Sequence, residues 1–183
     1  MSRRQLVLWA AVSWSAACLL AQGPEIEKAR INAPYVTTPP EVVTAMLKAA
    51  EVKPGDLVYD LGCGDGRIVI AAAREFGARG VGVDLYREHI AQAQRKAREA
   101  GVAERVEFRQ QDLFDADLRP ATVVTLYLLP EVNLELRPKL LRELRPGARV
   151  VSHAFDFGDW KPDWQFEVNG EKVFLWVIPG RRL

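Results

Sequence analysis

From residue 38 onward, the chain alternates between stretches of helical period and short runs that are apolar throughout. Val42, Val43, Met46, Leu47 and Ala50 recur at helical spacing. Ahead of them, Thr38-Pro39-Pro40-Glu41 predicts a helix start, with Thr38 as the cap, Pro39 at the first helical position and Glu41 completing a capping box. Pro54-Gly55 predicts a turn into a first strand over residues 56–61. A helix over about 66–76, a turn over 77–80, a short strand over 81–84 and an amphipathic helix over 86–100 closed by Gly101 follow, then an alternating strand over 105–110. The continuous apolar run 122–129 has the pattern of a central parallel strand buried on both faces. Residues 131–144 are helical in pattern through Val132, Leu136 and Leu140, and Pro138 is expected to kink or restart that helix. After a strand over 149–152, two runs (164–168 and 171–178) flank Asn169-Gly170, a strong signal for a type I′ hairpin. Helix and strand alternate up to that hairpin, which predicts an α/β fold: a doubly wound, mostly parallel sheet ending in an antiparallel hairpin.

Residues 1–22 break the pattern. Arg3 and Arg4 precede an uncharged apolar run over residues 5–21, the layout of an export signal or a membrane anchor. Residues 23–37 are polar and irregular and read as a linker, which leaves 38–183 as the domain. By the positive-inside rule, Arg3 and Arg4 hold the N-terminus in the cytoplasm and place the domain across the membrane. The expectation is a membrane-associated or exported protein, and a cytoplasmic one if the segment is not a working signal.

Charge changes the picture by exclusion. The 183 residues carry 25 basic and 24 acidic side chains, a net charge of +1. Setting Arg3 and Arg4 aside leaves 23 against 24, which is no nucleic-acid footprint. Two cysteines, Cys18 and Cys63, make no disulfide framework. The histidines His89 and His153 have no Cys or carboxylate at metal-ligand spacing; His89 reads as a surface helix residue, and His153 ends a strand from which it could face a site.

The chemistry concentrates in Asp60-Leu61-Gly62-Cys63-Gly64-Asp65-Gly66-Arg67, between a predicted strand and a predicted helix. Three alternating glycines let a nucleotide-like ligand lie on bare backbone. The leading carboxylate suits a ligand with a cationic end, such as S-adenosylmethionine. A dinucleotide fingerprint needs its third glycine where Arg67 stands, and no Gly-Lys-Ser/Thr follows for a phosphate loop. Carboxylates also fall at the next two strand ends. Asp84 is placed to accept ribose hydroxyls, and Asp112 with Leu113 to hold an adenine. Cys63 reads as a small structural residue within the loop.

These residues resemble class I S-adenosylmethionine-dependent methyltransferases, whose sheet has seven strands and a final antiparallel hairpin. The chain is most similar to one branch of small protein-lysine methyltransferases, which includes an archaeal enzyme and a mitochondrial enzyme acting on the ATP synthase c subunit. The matching pieces are Pro34-Tyr35-Val36, residues 60–73, 81–84, Asp112-Leu113, 123–130, 136–144 and 147–155, and Trp160 with Pro162. The resemblance implies cofactor contacts for Asp60, Gly62, Gly64, Gly66, Asp84 and Asp112. Where many enzymes that methylate nucleobase amines or glutamine carry Asn-Pro-Pro-Tyr, this chain has Leu126-Tyr127-Leu128-Leu129-Pro130. That departure fits an aliphatic amine acceptor, hence a protein substrate with an accessible lysine and no nucleic-acid partner. Tyr35, as a lid residue, and Tyr127, at the end of the fourth strand, are the expected walls of a lysine channel and the candidate catalytic residues. A small-molecule methyltransferase on the same fold, or a non-catalytic cofactor-binding module, are the alternatives.

Overall fold

The structure, a computed structural model, describes residues 35–180. The readings for residues 1–34, signal or anchor and most of the linker, lie outside the described residues. Seven strands form one sheet: β1 (Leu57–Leu61), β2 (Arg79–Asp84), β3 (Val106–Gln110), β4 (Val123–Leu126), β5 (Arg149–His153), β6 (Trp164–Val168) and β7 (Glu171–Val177). Their order is β3-β2-β1-β4-β5-β7-β6. The first five are parallel, and β7 inserts antiparallel between β5 and β6. Asn169 and Gly170 close the β6–β7 hairpin, both with positive φ (53° and 84°), as a type I′ turn requires. The doubly wound sheet and its terminal hairpin are as the alternation of elements predicts.

Three helices, α1 (Pro40–Ala49), α2 (Arg67–Phe76) and α3 (Arg87–Glu99), cover one face. Val42, Met46 and Leu47 of α1 and Ile68, Val69 and Ala72 of α2 pack there on Val58, Val123 and Val151. Among the described residues, the other face has one helix, α4 (Pro130–Glu143), whose Leu136 and Leu140 pack with Val124, Leu126, Val150 and Trp176. Between β3 and β4, where a crossover helix is usual, the chain runs irregularly and buries Ala116, Leu118 and Ala121 in the same core. Among the described residues, no helix is long and apolar enough to cross a membrane.

Three local expectations are corrected. Helix α1 starts at Pro40, with Pro39 as N-cap and no side-chain cap. A capping box is closed off because Pro39 has no N–H for Glu41 to accept; Glu41 accepts from Asn169 instead, at 3.2 Å, and the Thr38 hydroxyl turns to His153. Strand β4 ends at Leu126 rather than 129, because its neighbour β1 turns away at Gly62 and the ladder loses its partner there. Helix α4 runs through Pro138 without a break. Pro138 lies on the exposed side, where water can reach the carbonyl it leaves unpaired, while Leu136 and Leu140 on either side stay buried. Restoring that N–H should raise stability. Pro138→Ala is expected to gain about 1–2 kcal/mol, roughly 3–6 °C in Tm, after allowing for the freer unfolded chain. A thermal melt that shows no gain would mean that the helix bends at no cost.

Candidate active site

The strand order reverses between β1 and β4, so the crevice of this sheet lies at their carboxyl ends. The glycine loop occupies that position. Gly62 N–H and Cys63 N–H both donate to the Val83 carbonyl, at 2.8 and 2.9 Å, which ties the loop to the end of β2. Gly64 and Gly66 have φ of 52° and 76°, a region where a side chain is strained. A Cβ at Gly66 would lie 2.6 Å from the Phe108 ring, and one at Gly64 would lie 2.7 Å from the ring of Tyr35. The loop is therefore bare backbone, with one face packed and the other beneath Tyr35. Cys63 is buried against Gly82, which supports its structural reading.

The predicted carboxylates stand at the ends of three adjacent strands. Asp84, the last residue of β2, accepts from Gly64 N–H at 2.9 Å and Tyr86 N–H at 3.0 Å, and its Oδ1 lies 3.1 Å from His89 Nδ1. It thus organises the loop, the start of α3 and an imidazole at once. Asp60, in β1, is buried, and among the described residues its hydrogen bond comes from Thr125 Oγ1, at 2.7 Å. Burial raises its pKa to about 7, against the lowering effect of Thr125, and the charges of Asp84 and Asp65 push it the same way. A buried acid among acids is a place for a cation. Asp112 follows β3, beside Asp84, and accepts from Phe114 N–H at 2.9 Å; Leu113 packs on the main core.

Tyr35 and Tyr127 sit on different histidines. The Tyr35 ring stacks on His89 with centroids 4.4 Å apart, and His89 also meets Tyr86 edge-on. Tyr127 stacks on His153 at 4.0 Å. Burial, and then the charge of Glu171, raise the Tyr127 phenol above its usual range, so at neutral pH it is an O–H donor and not a base.

Several working residues were not legible as such. His89 is no plain surface residue: it is held against Asp84 and two tyrosines. Asp65 is buried and receives Arg67 Nε at 2.9 Å, a second guanidinium nitrogen of Arg67 at 2.7 Å and Lys96 Nζ at 2.6 Å. Those bonds outweigh burial and hold its pKa down to about 2. Arg67 also donates to the Thr38 carbonyl, at 2.9 Å. The lone hydroxyl of Thr125 inside an apolar strand was the signal that could have found the partner of Asp60, since a buried hydroxyl needs one.

Comparison with known proteins agrees with this geometry. The ANTKMT methyltransferase domain family matches residues 60–164. A protein-lysine N-methyltransferase of Saccharolobus islandicus (strain REY15A) is 45% identical over 152 residues, spanning 80% of this chain and 94% of that protein. The adenine nucleotide translocase lysine N-methyltransferase of Mus musculus is 35% identical over 165 residues, 90% of this chain and 71% of that protein. A crystal structure described as an RNA methyltransferase from Salinibacter ruber, in complex with S-adenosyl-L-homocysteine, superposes with a TM-score of 0.79 at 55% identity, covering 81% of this chain and 97% of that one. With a glycine loop at the switch point, acids on three strand ends and a family match across most of the sheet, the chain belongs to the ANTKMT methyltransferase domain family.

Proposed function

We propose that this methyltransferase moves a methyl group from S-adenosylmethionine to the side-chain amine of a lysine in a protein. The residues fit that cofactor: a glycine loop at the switch point of the sheet for the nucleoside, and a buried acid, Asp60, that favours a cation. Asp60 would face the ammonium and Asp84 the ribose hydroxyls. Asp112 and Leu113 would hold the adenine, and Gly62, Gly64 and Gly66 would let the ligand approach. The cofactor supplies an electrophilic methyl on a sulfonium. The chain's own task is to hold an amine in line with it, in neutral form and away from water. A free lysine has a pKa of about 10.4, so burial of the amine beside Tyr127 serves to release its proton. Tyr127 and Tyr35 would pack on the aliphatic stem.

The observation that carries the choice of acceptor is the charge around the crevice on the β4–β5 side. Residues 127–135 and 154–161, which follow those strands, hold Glu131, Glu135, Asp156 and Asp159 against Lys161, and Arg137, further along α4, pairs with Asp159, which leaves the rim acidic on balance. The Asn133 amide donates to the carbonyls of Phe155 and Asp156, at 3.3 and 3.4 Å, so the two segments are neighbours. An acidic rim attracts a cationic lysine segment and repels a phosphate backbone. The lysine N-methyltransferase relatives point the same way. The description of the Salinibacter ruber neighbour keeps RNA as the second reading.

A tritiated-methyl assay on cell extract, resolved into protein, RNA and small-molecule fractions, tests the proposal. Label on lysine in the protein fraction supports it, and label in RNA overturns it. Within the assay, Tyr127→Ala is expected to lower turnover about 10–100-fold with little change in S-adenosylhomocysteine affinity, because it loosens the acceptor and leaves the cofactor site. Tyr127→Phe keeps the ring and should stay close to the unmodified rate. Unchanged turnover in both variants removes Tyr127 from the mechanism.

A further inference from the structure

We infer that His153 is a positioning residue: it clamps the strap of residues 35–39 along the carboxyl edge of the sheet, and the same imidazole sets the ring of Tyr127. The inference rests on the cofactor-binding part of the reading above.

His153 ends β5 and is 1% exposed. Both of its ring nitrogens are engaged: Nδ1 lies 3.2 Å from Thr38 Oγ1, and Nε2 lies 3.1 Å from Glu171 Oε2. A carboxylate can only accept, so Nε2 carries the proton and Nδ1 is left to accept from the Thr38 hydroxyl. Burial lowers the imidazole pKa against the raising effect of Glu171, which agrees with a neutral ring. The ring face is used as well, since Tyr127 lies on it at a 40° tilt.

Thr38 is gripped twice. Its side chain is held from β5, and its carbonyl is held by Arg67, the first residue of α2. Arg67 is locked in turn by Asp65. Three residues upstream, the Tyr35 ring meets Gly64 and His89, and His89 rests on Asp84. One end of the strap is therefore tied to the loops after β1 and β2, and the other to the end of β5. The switch point between β1 and β4 lies between those ties. A histidine that only filled the core would have no need to join a strap residue, a hairpin carboxylate and a site tyrosine. Opening the Thr38–His153 bond removes one of the two ties at that end of the segment, whose other end presses on the glycine loop.

Thr38→Val tests this, because it removes one hydroxyl and leaves the carbonyl bond to Arg67. We expect the Kd for S-adenosylhomocysteine, measured by calorimetry, to rise about five- to tenfold, the scale of one lost hydrogen bond. Chymotrypsin cleavage after Tyr35 should speed up by a similar factor, and Thr38→Ser should restore both. His153→Ala should show the same two changes, and the double variant should add nothing to them. A Thr38→Val protein with unmodified Kd and cleavage rate overturns the clamp, as does full additivity with His153→Ala. Should His153→Ala unfold, the Thr38 pair alone decides. An unmodified chain that fails to bind S-adenosylhomocysteine overturns the cofactor reading and the clamp with it, whereas normal binding that ignores Thr38→Val overturns the clamp alone.

Discussion

Asp84→Asn is expected to weaken S-adenosylhomocysteine binding by about 100-fold while leaving the fold in place. The carboxylate accepts two backbone N–H groups, from Gly64 and Tyr86, on different oxygens, and contacts the His89 imidazole as well. In asparagine, one of those oxygens becomes an NH2 group that must face a backbone N–H. Donor then meets donor, either at the glycine loop or at the start of α3. A hydrogen bond to a charged group contributes about 1.5–3 kcal/mol, and losing one at the loop, together with the charge proposed to face the ribose, reaches the 100-fold scale. Calorimetric titration measures the affinity, and circular dichroism checks the fold. A variant that binds within threefold of the unmodified protein would remove Asp84 from the cofactor site.

Asp60→Asn should trade binding for stability. Asp60 has a folded-state pKa of about 7, above the roughly 3.9 of an unfolded aspartate. Between those values the native state holds the proton more tightly than the unfolded chain. Stability is therefore fully present below about pH 4 and falls as pH rises to about 7, by about 4 kcal/mol in all. Asparagine carries no charge and avoids that loss. At pH 8 the variant should be more stable than the unmodified protein by up to about 4 kcal/mol, and near pH 4 the difference should vanish. It should also lose most of its affinity for a ligand that presents an ammonium. In the unmodified protein, affinity should drop as pH falls below 7, by up to tenfold per unit, and in Asp60→Asn this dependence should be flat. Melting curves at pH 5 and 8, paired with titrations at the same values, test both halves. A variant less stable than the unmodified protein at pH 8 would mean that Asp60 holds the ligand-free fold together.

The elements were legible where period and turn chemistry agree. Asn169-Gly170 with its flanking runs predicts the hairpin, and Asp60 to Gly66 predicts the loop, because each is specified by neighbouring residues. The errors fell where a distant partner decides. Thr38 looks like a cap until Pro39 takes that position and a histidine 115 residues away claims the hydroxyl. Pro138 looks like a break, but tertiary packing of Leu136 and Leu140 holds the helix through it. The apolar run to Leu129 outlasts its strand because pairing, not hydropathy, ends β4. In the site, the strand-end acids followed from alternation. The partners of Thr125 and, through Lys96, of Asp65 lie 65 and 31 positions away, which no local pattern encodes, whereas His89 meets Asp84 only five residues back, across the turn from β2 into α3.

The cysteine in the glycine loop bears on where such a domain can work. Cys63 is sealed against Gly82, and burial pushes its thiol well above the usual range. A thiol that neither ionises nor meets solvent is a poor nucleophile toward oxidants and disulfides alike. Glutathione poise thus has little hold on this loop, and its chemistry suits a reducing or an oxidising compartment equally.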